Sequence, residues 1–370
     1  MVSRLLPSLL AALFGLLVAA PARAYPQFVL KGYGDCSSCH HSASGGGLPN
    51  RWGLDALDAT FDSEMAFGNE DVDYDSSSPS SLKVDIGADV RLLVLSATDA
   101  DAASGPLAIP MLTELGGAAG LGRWVAYATV TARKLEGTGL PFVAFSREHW
   151  LKYHPGGAFD IRLGRLVLPF GIRQPDHTQY VREDFELDKY DQSYGAEVDF
   201  RGAGWTLLGS VFAGDLTGQA RERQDRGVAL TTQRELVGGT ALGISVLGSL
   251  STARDRVAGS VFGRVALGAS AYALGEAAAQ RFWAREGDDK LSTVAEFLRV
   301  GWFARPALDL YLELGHRALL NAHGLAKARA GLGLNWQLLR WFELAPQLLL
   351  ETRSGLPTRL TGMVQLHAVY

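Results

Sequence analysis

The chain has 370 residues, is 47% hydrophobic and 20% charged, and carries a formal net charge of -4. That composition excludes a disordered chain, and so small a net charge leaves no electrostatic footprint for nucleic acid. Length alone would allow two or three soluble domains, but the patterning along the chain points elsewhere.

The first 24 residues read as a secretory signal. Arg4 supplies a short basic start, residues 5–18 a mostly apolar run, and Ala22-Arg23-Ala24 a small-x-small cleavage site. The apolar run is too short for a membrane anchor and ends at the helix-breaking Pro21. Residues 1–24 are therefore expected to be removed, which places the rest outside the cytosol. Beyond them no apolar run approaches the ~18 residues that a membrane helix needs.

Next comes KGYGDCSSCHHSASGGG, starting at Lys31, which contains both cysteines of the chain, Cys36 and Cys39, followed at once by His40. In an oxidising compartment such a pair can be a disulfide, a redox thiol pair, a metal clip or a haem anchor. C-x-x-C-H is the attachment sequence of c-type haem. The two thiols add to the vinyl groups, the two intervening residues set their separation, and the next imidazole lies under the iron as axial ligand. A redox thiol pair belongs at a helix N-terminus in an α/β domain, and no such domain is visible; a zinc site would need His41 or a distant carboxylate as fourth ligand. The motif is read as carrying one haem c, with Cys36 and Cys39 covalently attached and His40 as axial ligand. His41 adjoins the proximal ligand and cannot reach the opposite face of the same haem. Met65 and His177 are the two candidates for the sixth ligand, with an open or water-filled position as the third option.

Residues 25–80 hold this motif, a Ser/Gly-rich stretch at 42–47 and an acidic run at 70–76. So short a segment buries little core alone. The acidic run reads as a solvated linker, with a cation-attracting patch as the sharper alternative.

From Leu82 the period becomes two. Leu82, Val84, Ile86, Ala88, Val90 and Leu92 alternate with Lys83, Asp85, Gly87, Asp89 and Arg91; Leu308, Leu310, Leu312 and Leu314 alternate with Asp309, Tyr311, Glu313 and Gly315. Residues 326–337 repeat the pattern, with Ala328 and Leu332 on one face and Arg329 and Asn335 on the other. A helix spaces apolar residues three and four apart, so this period predicts strands. The runs, ~10 to 14 residues, exceed the usual strand of a soluble sheet and suffice to cross a bilayer at a tilt. One face is aliphatic and the other carries full charges, as lipid and a watery lumen require, and only a closed barrel satisfies every strand edge in lipid. The predicted fold is all-β: a transmembrane antiparallel β-barrel of about 14–16 strands over residues 81–370, behind a short N-terminal c-type haem segment. Trp124, Trp150, Trp205, Trp283, Trp302 and Trp341 lie in or near strand ends and are candidates for an interfacial girdle. Residues 201–204 and 339–340 read as tight turns, 169–192 and 215–234 as long loops. With a barrel present, the haem segment is expected to sit in or against its mouth.

Two stretches carry resemblances. The last strand alternates up to the terminal Tyr370, an ending that resembles the signal read by the bacterial outer-membrane assembly machinery. IRLGRLVLPFGIRQPDH, residues 161–177, resembles porins of the phosphate-selective type, whose long loop folds inward and narrows the pore. Here that loop would carry Arg173, Asp176, His177, Arg182, Glu183, Asp184, Glu186, Asp188 and Lys189; a solvated outer loop is the plain alternative.

The secretion signal, Pro26 and Phe28, the Cys36-Ser-Ser-Cys39-His40 motif and the barrel together resemble outer-membrane fusions of a monohaem cytochrome to a porin-like barrel, known from iron-oxidising bacteria. That resemblance implies a conduit. One haem would relay electrons between an extracellular donor or acceptor such as iron and periplasmic cytochromes, within a barrel surrounded by outer-membrane lipid. The alternative is a diffusion porin whose haem is structural or regulatory. No G-x-S-x-G is present and the remaining histidines are scattered, so nothing points to a hydrolase.

Overall fold

A computed structural model describes residues 40–42, 48, 50, 53, 82–99, 102–103, 105–133, 143–172, 180–187, 191–214, 225–236, 240–284, 290–305, 307–320, 326–339 and 342–369. The signal segment and the acidic run lie outside these residues.

The strands are β1 (Lys83–Asp99), β2 (Leu107–Leu121), β3 (Trp124–Arg133), β4 (Val143–Phe145 and His149–Gly156), β5 (Phe159–Val167), β6 (Gln192–Gly202), β7 (Trp205–Phe212) and β8 (Arg226–Glu235). They continue as β9 (Ala241–Leu250), β10 (Arg254–Ala266), β11 (Ala271–Ala284), β12 (Lys290–Arg305), β13 (Leu308–Leu319), β14 (Ala326–Leu339), β15 (Phe342–Arg353) and β16 (Leu356–Val369). The two pieces of β4 both pair with β3 and form one interrupted strand, and Ala102–Ala103 extends the β1–β2 hairpin. Each strand pairs antiparallel with its neighbours in sequence, and β1 pairs with β16, from Asp89↔Val369 to Thr98↔Leu360. The sheet is thereby closed into a barrel of sixteen strands, the even number that single-chain barrels of this kind adopt.

The facing follows the sequence period. Val84, Ile86 and Val90 are exposed on the outside of β1 while Asp89 and Arg91 are buried inside; Leu312 and Leu314 are outside while Asp309 and Glu313 are inside. Leu332 points outward and Arg329 inward. A wall that shows its aliphatic side chains to the surroundings and buries its charges is stable only against hydrocarbon.

One loop expectation is corrected. Residues 215–234 were expected to form a single long loop, but β8 begins at Arg226. Its apolar side consists of Val228 and Leu230 and its inner side of Ala229 and Thr231. Such small and hydroxylated residues mask a period of two.

Short turns at 122–123, 157–158 and 203–204 lie on the rim where β1 starts and β16 ends; the ends of β3, β5 and β7, from which longer connections leave, lie on the opposite rim. In outer-membrane barrels the short-turn rim is periplasmic. Trp124, Phe159 and Trp205 open strands at that rim, Trp302 and Trp336 lie three residues before strand ends there, and all five are exposed. They form the girdle. Trp150, by contrast, is buried in the lumen, and Trp341 lies outside the described residues.

Candidate functional site

Two pieces of chain occupy the lumen. The first is the connection from β5 to β6. It leaves the barrel wall at Leu168, turns at Gly171 (φ 57°), and forms a short helix, α1 (Tyr180–Glu183). Leu168, Phe170, Tyr180, Val181, Phe185 and Leu187 are buried against Phe212, Ala229, Leu247, Ala258, Ala278 and Ala295, one residue from each of the successive strands β7 to β12. Alanine at four of those six wall positions is what lets the loop's large side chains approach the wall.

Polar contacts fix the loop on both sides of this packing. The Gly171 N–H donates to Ser245 Oγ at 2.8 Å and the Ile172 N–H to Glu276 Oε2 at 2.9 Å. Gln280 Nε2 donates to the Asp184 carbonyl at 2.6 Å, Arg317 pairs with Asp184 at 2.9 Å, and Arg254 pairs with Glu186. The Tyr180 hydroxyl donates to Glu351 at 2.8 Å on β15. Burial pushes the Asp184 carboxyl above its ordinary range, against the pull of Arg317 and Lys327. Burial, together with the Glu351 carboxylate, raises the Tyr180 phenol. The loop thus folds inward, as the resemblance at residues 161–177 implied, and the solvated outer loop is excluded.

The second luminal piece lies at the C-terminal end of the cysteine motif. His40 is half-buried and takes part in an isolated β-bridge. His41 is buried, with Nε2 3.0 Å from Asp85 Oδ2 on β1. Burial lowers the His41 pKa, and the Asp85 carboxylate opposes that shift. Ser42 Oγ donates to Glu148 Oε2 at 2.8 Å. The His41 N–H donates to the Leu48 carbonyl at 3.2 Å, folding the insert back on itself. The Gly53 N–H donates to the Asn50 side chain at 2.8 Å.

The seat for this insert is built on β1 to β5. Leu48 is buried with Ala118, Val125, Tyr127, Trp150 and Leu166. Asp85, Ala118, Tyr127 and Trp150 fall on one hydrogen-bonded row across four strands. The Tyr127 and Trp150 rings stack at 4.8 Å, and His41 lies 6.2 Å from Tyr127.

Of the residues singled out in the sequence, His40 is therefore in the barrel. Cys36, Cys39, Met65 and His177 lie outside the described residues, as do Arg173, Asp176, Asp188 and Lys189. Among the described residues no cluster of three or more histidine, cysteine or carboxylate side chains could hold a metal ion. Sequence reasoning missed the seat. Glu148 sits in an unremarkable SREHW stretch, and its partner Ser42 is 106 residues away.

Neither the protein-family models nor the curated proteins contain a match to this chain. Solved structures do match in fold. A loop-deletion mutant of OmpT, an outer membrane protein of Vibrio cholerae, superposes with a TM-score of 0.63 at 10% identity, covering 78% of this chain and 99% of that one. An anion-selective porin from Comamonas acidovorans gives 0.61 at 13% identity, covering 78% and 100%. The outer membrane channel DcaP of Acinetobacter baumannii gives 0.55 at 12% identity, covering 78% and 98%. The fold is that of an outer-membrane porin. The apolar belt and the polar lumen of this porin-like barrel place it in the outer membrane of a Gram-negative bacterium. The strand-bearing residues 83–369 make up the same share of the chain as the matched part.

Proposed function

We propose that the chain forms a porin-type passage for small polar solutes, narrowed by the β5–β6 loop. The observation that carries this reading is the inward loop itself, held to the wall at Glu276, Arg317 and Glu351. A loop so anchored constricts a water-filled lumen lined by fixed charges, which select solutes by size and electrostatics. The test is conductance of the purified protein in planar bilayers, together with uptake of neutral sugars by proteoliposomes. Folded protein that passes neither ions nor sugars, both as the native chain and with the residue 40–42 and 48 contacts to the wall removed, would sink this reading.

A second reading is supported by the placement of His40. The donor set of the motif, two thiols and an imidazole, is that of c-type haem. The residue after the motif, His41, lies 6.2 Å from the Tyr127 ring, so the end of the motif is held against an aromatic part of the inner wall. On this reading Cys36 and Cys39 attach one haem c, His40 ligates its iron, and the barrel carries single electrons between an outer donor or acceptor such as iron and periplasmic cytochromes. When bound, the haem supplies the one-electron couple. The chain orients it through the Asp85 and Glu148 contacts on the two residues that follow His40. Haem peroxidase staining of the denatured protein, made in cells with attachment machinery, tests it. Stain should persist in the native sequence and vanish in Cys36→Ala/Cys39→Ala; an unstained native band overturns it.

A further inference from the structure

The two luminal pieces share the inner wall between them. The β5–β6 loop covers β7 to β12 with its apolar side chains and reaches β13 and β15 through Arg317 and Glu351. The described residues of the insert, His41, Ser42 and Leu48, take β1 to β5, through Asp85, Glu148 and the cluster of Ala118, Val125, Tyr127, Trp150 and Leu166. An inward loop alone makes a constriction; a second body on the opposite wall narrows the passage further.

The wall is shaped for that second body. At the level of Leu48 the inner faces of β1 and β2 carry no side chains, because Gly87 pairs with Gly116 there. A Cβ on Gly116 would lie 3.3 Å from Leu48 Cβ, tighter than ordinary contact, so Leu48 occupies the space a wall side chain would fill. Flanking this socket, two wall carboxylates each take one contact from the insert, Asp85 from His41 and Glu148 from Ser42, both at hydrogen-bond distance. Val125 and Tyr127 lie within four residues of the short-turn rim, so the seat opens toward the periplasm.

We infer that the insert is an autoinhibitory plug: Leu48 in its glycine socket, with the His41–Asp85 and Ser42–Glu148 contacts as latches, closes the periplasmic half of the passage. Release of the latches opens it. This rests on the passage reading above and holds whether or not a haem is attached.

Single-channel conductance of the full chain tests it. Leu48→Asp/Ser42→Ala on the insert and Gly116→Leu on the wall should each raise conductance about twofold or more over the native protein, because conduction follows the open cross-section. Folding of each variant is checked by its heat-modifiable gel mobility. Folded variants that conduct like the native chain overturn the plug while leaving the passage standing. Should the variants fail to fold, the native protein supplies the answer in stepped urea: a reversible rise in conductance below the unfolding range of the barrel supports the plug, and a flat record overturns it. Silence in every form overturns the passage and the plug together.

Discussion

Arg329 reaches Glu313 at 2.6 Å and from the same position lays its guanidinium over the Tyr180 ring, 4.9 Å away. One wall side chain therefore joins a buried carboxylate to the inward loop. By facing alone Arg329 is a lumen residue that hydrophobic substitution should leave able to assemble. The contacts say otherwise. Arg329→Leu should destabilise the barrel, by less than the about 3–5 kcal/mol of a fully orphaned buried charge, because Glu313 keeps Arg299 at 2.6 Å. It should also loosen α1. Equilibrium unfolding in guanidinium from lipid vesicles measures the first effect, and protease sensitivity of residues 168–191 the second.

Leu332, on the same strand, is 61% exposed and lies four residues from the girdle residue Trp336. With a rise of about 3.4 Å per residue and the usual strand tilt, it sits roughly 10 Å into the belt, close to the midplane. Leu332→Arg should cost about 2–4 kcal/mol in the same unfolding experiment. A cost near zero would mean that this face does not meet lipid.

Gly171 combines a φ of 57° with a Glu276 carboxylate lying where its Cβ would go. Gly171→Ala should add about 1–2 kcal/mol of backbone strain and displace the carboxylate that accepts the Ile172 N–H. The expected result is a loosened constriction in an intact barrel, read as noisier and larger single-channel currents with unchanged gel mobility.

Asp184 gives a pH dependence of definite sign. Its carboxyl is raised by burial, so between the ordinary aspartate value of about 3.9 and the folded value the folded loop binds more protons than the unfolded one. Docking of the loop is thus strongest in acid and weakens as pH rises through the folded pKa. Protease sensitivity of the loop should increase across that window, and the slope should flatten in Asp184→Asn.

If a haem is attached, the identity of its sixth ligand can be read in the near infrared. A methionine–iron charge-transfer band that disappears in Met65→Ala assigns that ligand. A ferric spectrum unchanged in both Met65→Ala and His177→Ala removes both residues.

The barrel was legible because lipid and water impose opposite demands on alternate residues. Val84 and Asp85, or Leu312 and Glu313, declare their sides without any knowledge of their neighbours. The inward loop was legible only through the Pro-Phe-Gly stretch at 169–171, a local pattern. The seat was not legible, since Leu48, Gly116 and Trp150 come together only when strands far apart in sequence are wound side by side. The strand β8 escaped notice because its inner residues, Ala229 and Thr231, are neither plainly polar nor plainly apolar. Trp150 shows the limit of reading aromatics by position: it is near a strand end like the girdle residues, but its side chain falls on the inner face.

The β1–β16 seam joins opposite ends of the chain, and it fixes an order of events in time. Until the last strand arrives, β1 is a long edge with its backbone donors and acceptors from Asp89 to Thr98 unpaired, a template for any stray strand. Synthesis and export proceed from the N-terminus, so that edge is the first made and the last covered. The cell must chaperone β1 through the periplasm for as long as the remaining fifteen strands take to emerge, and loss of β16 alone should turn a membrane protein into an aggregating one.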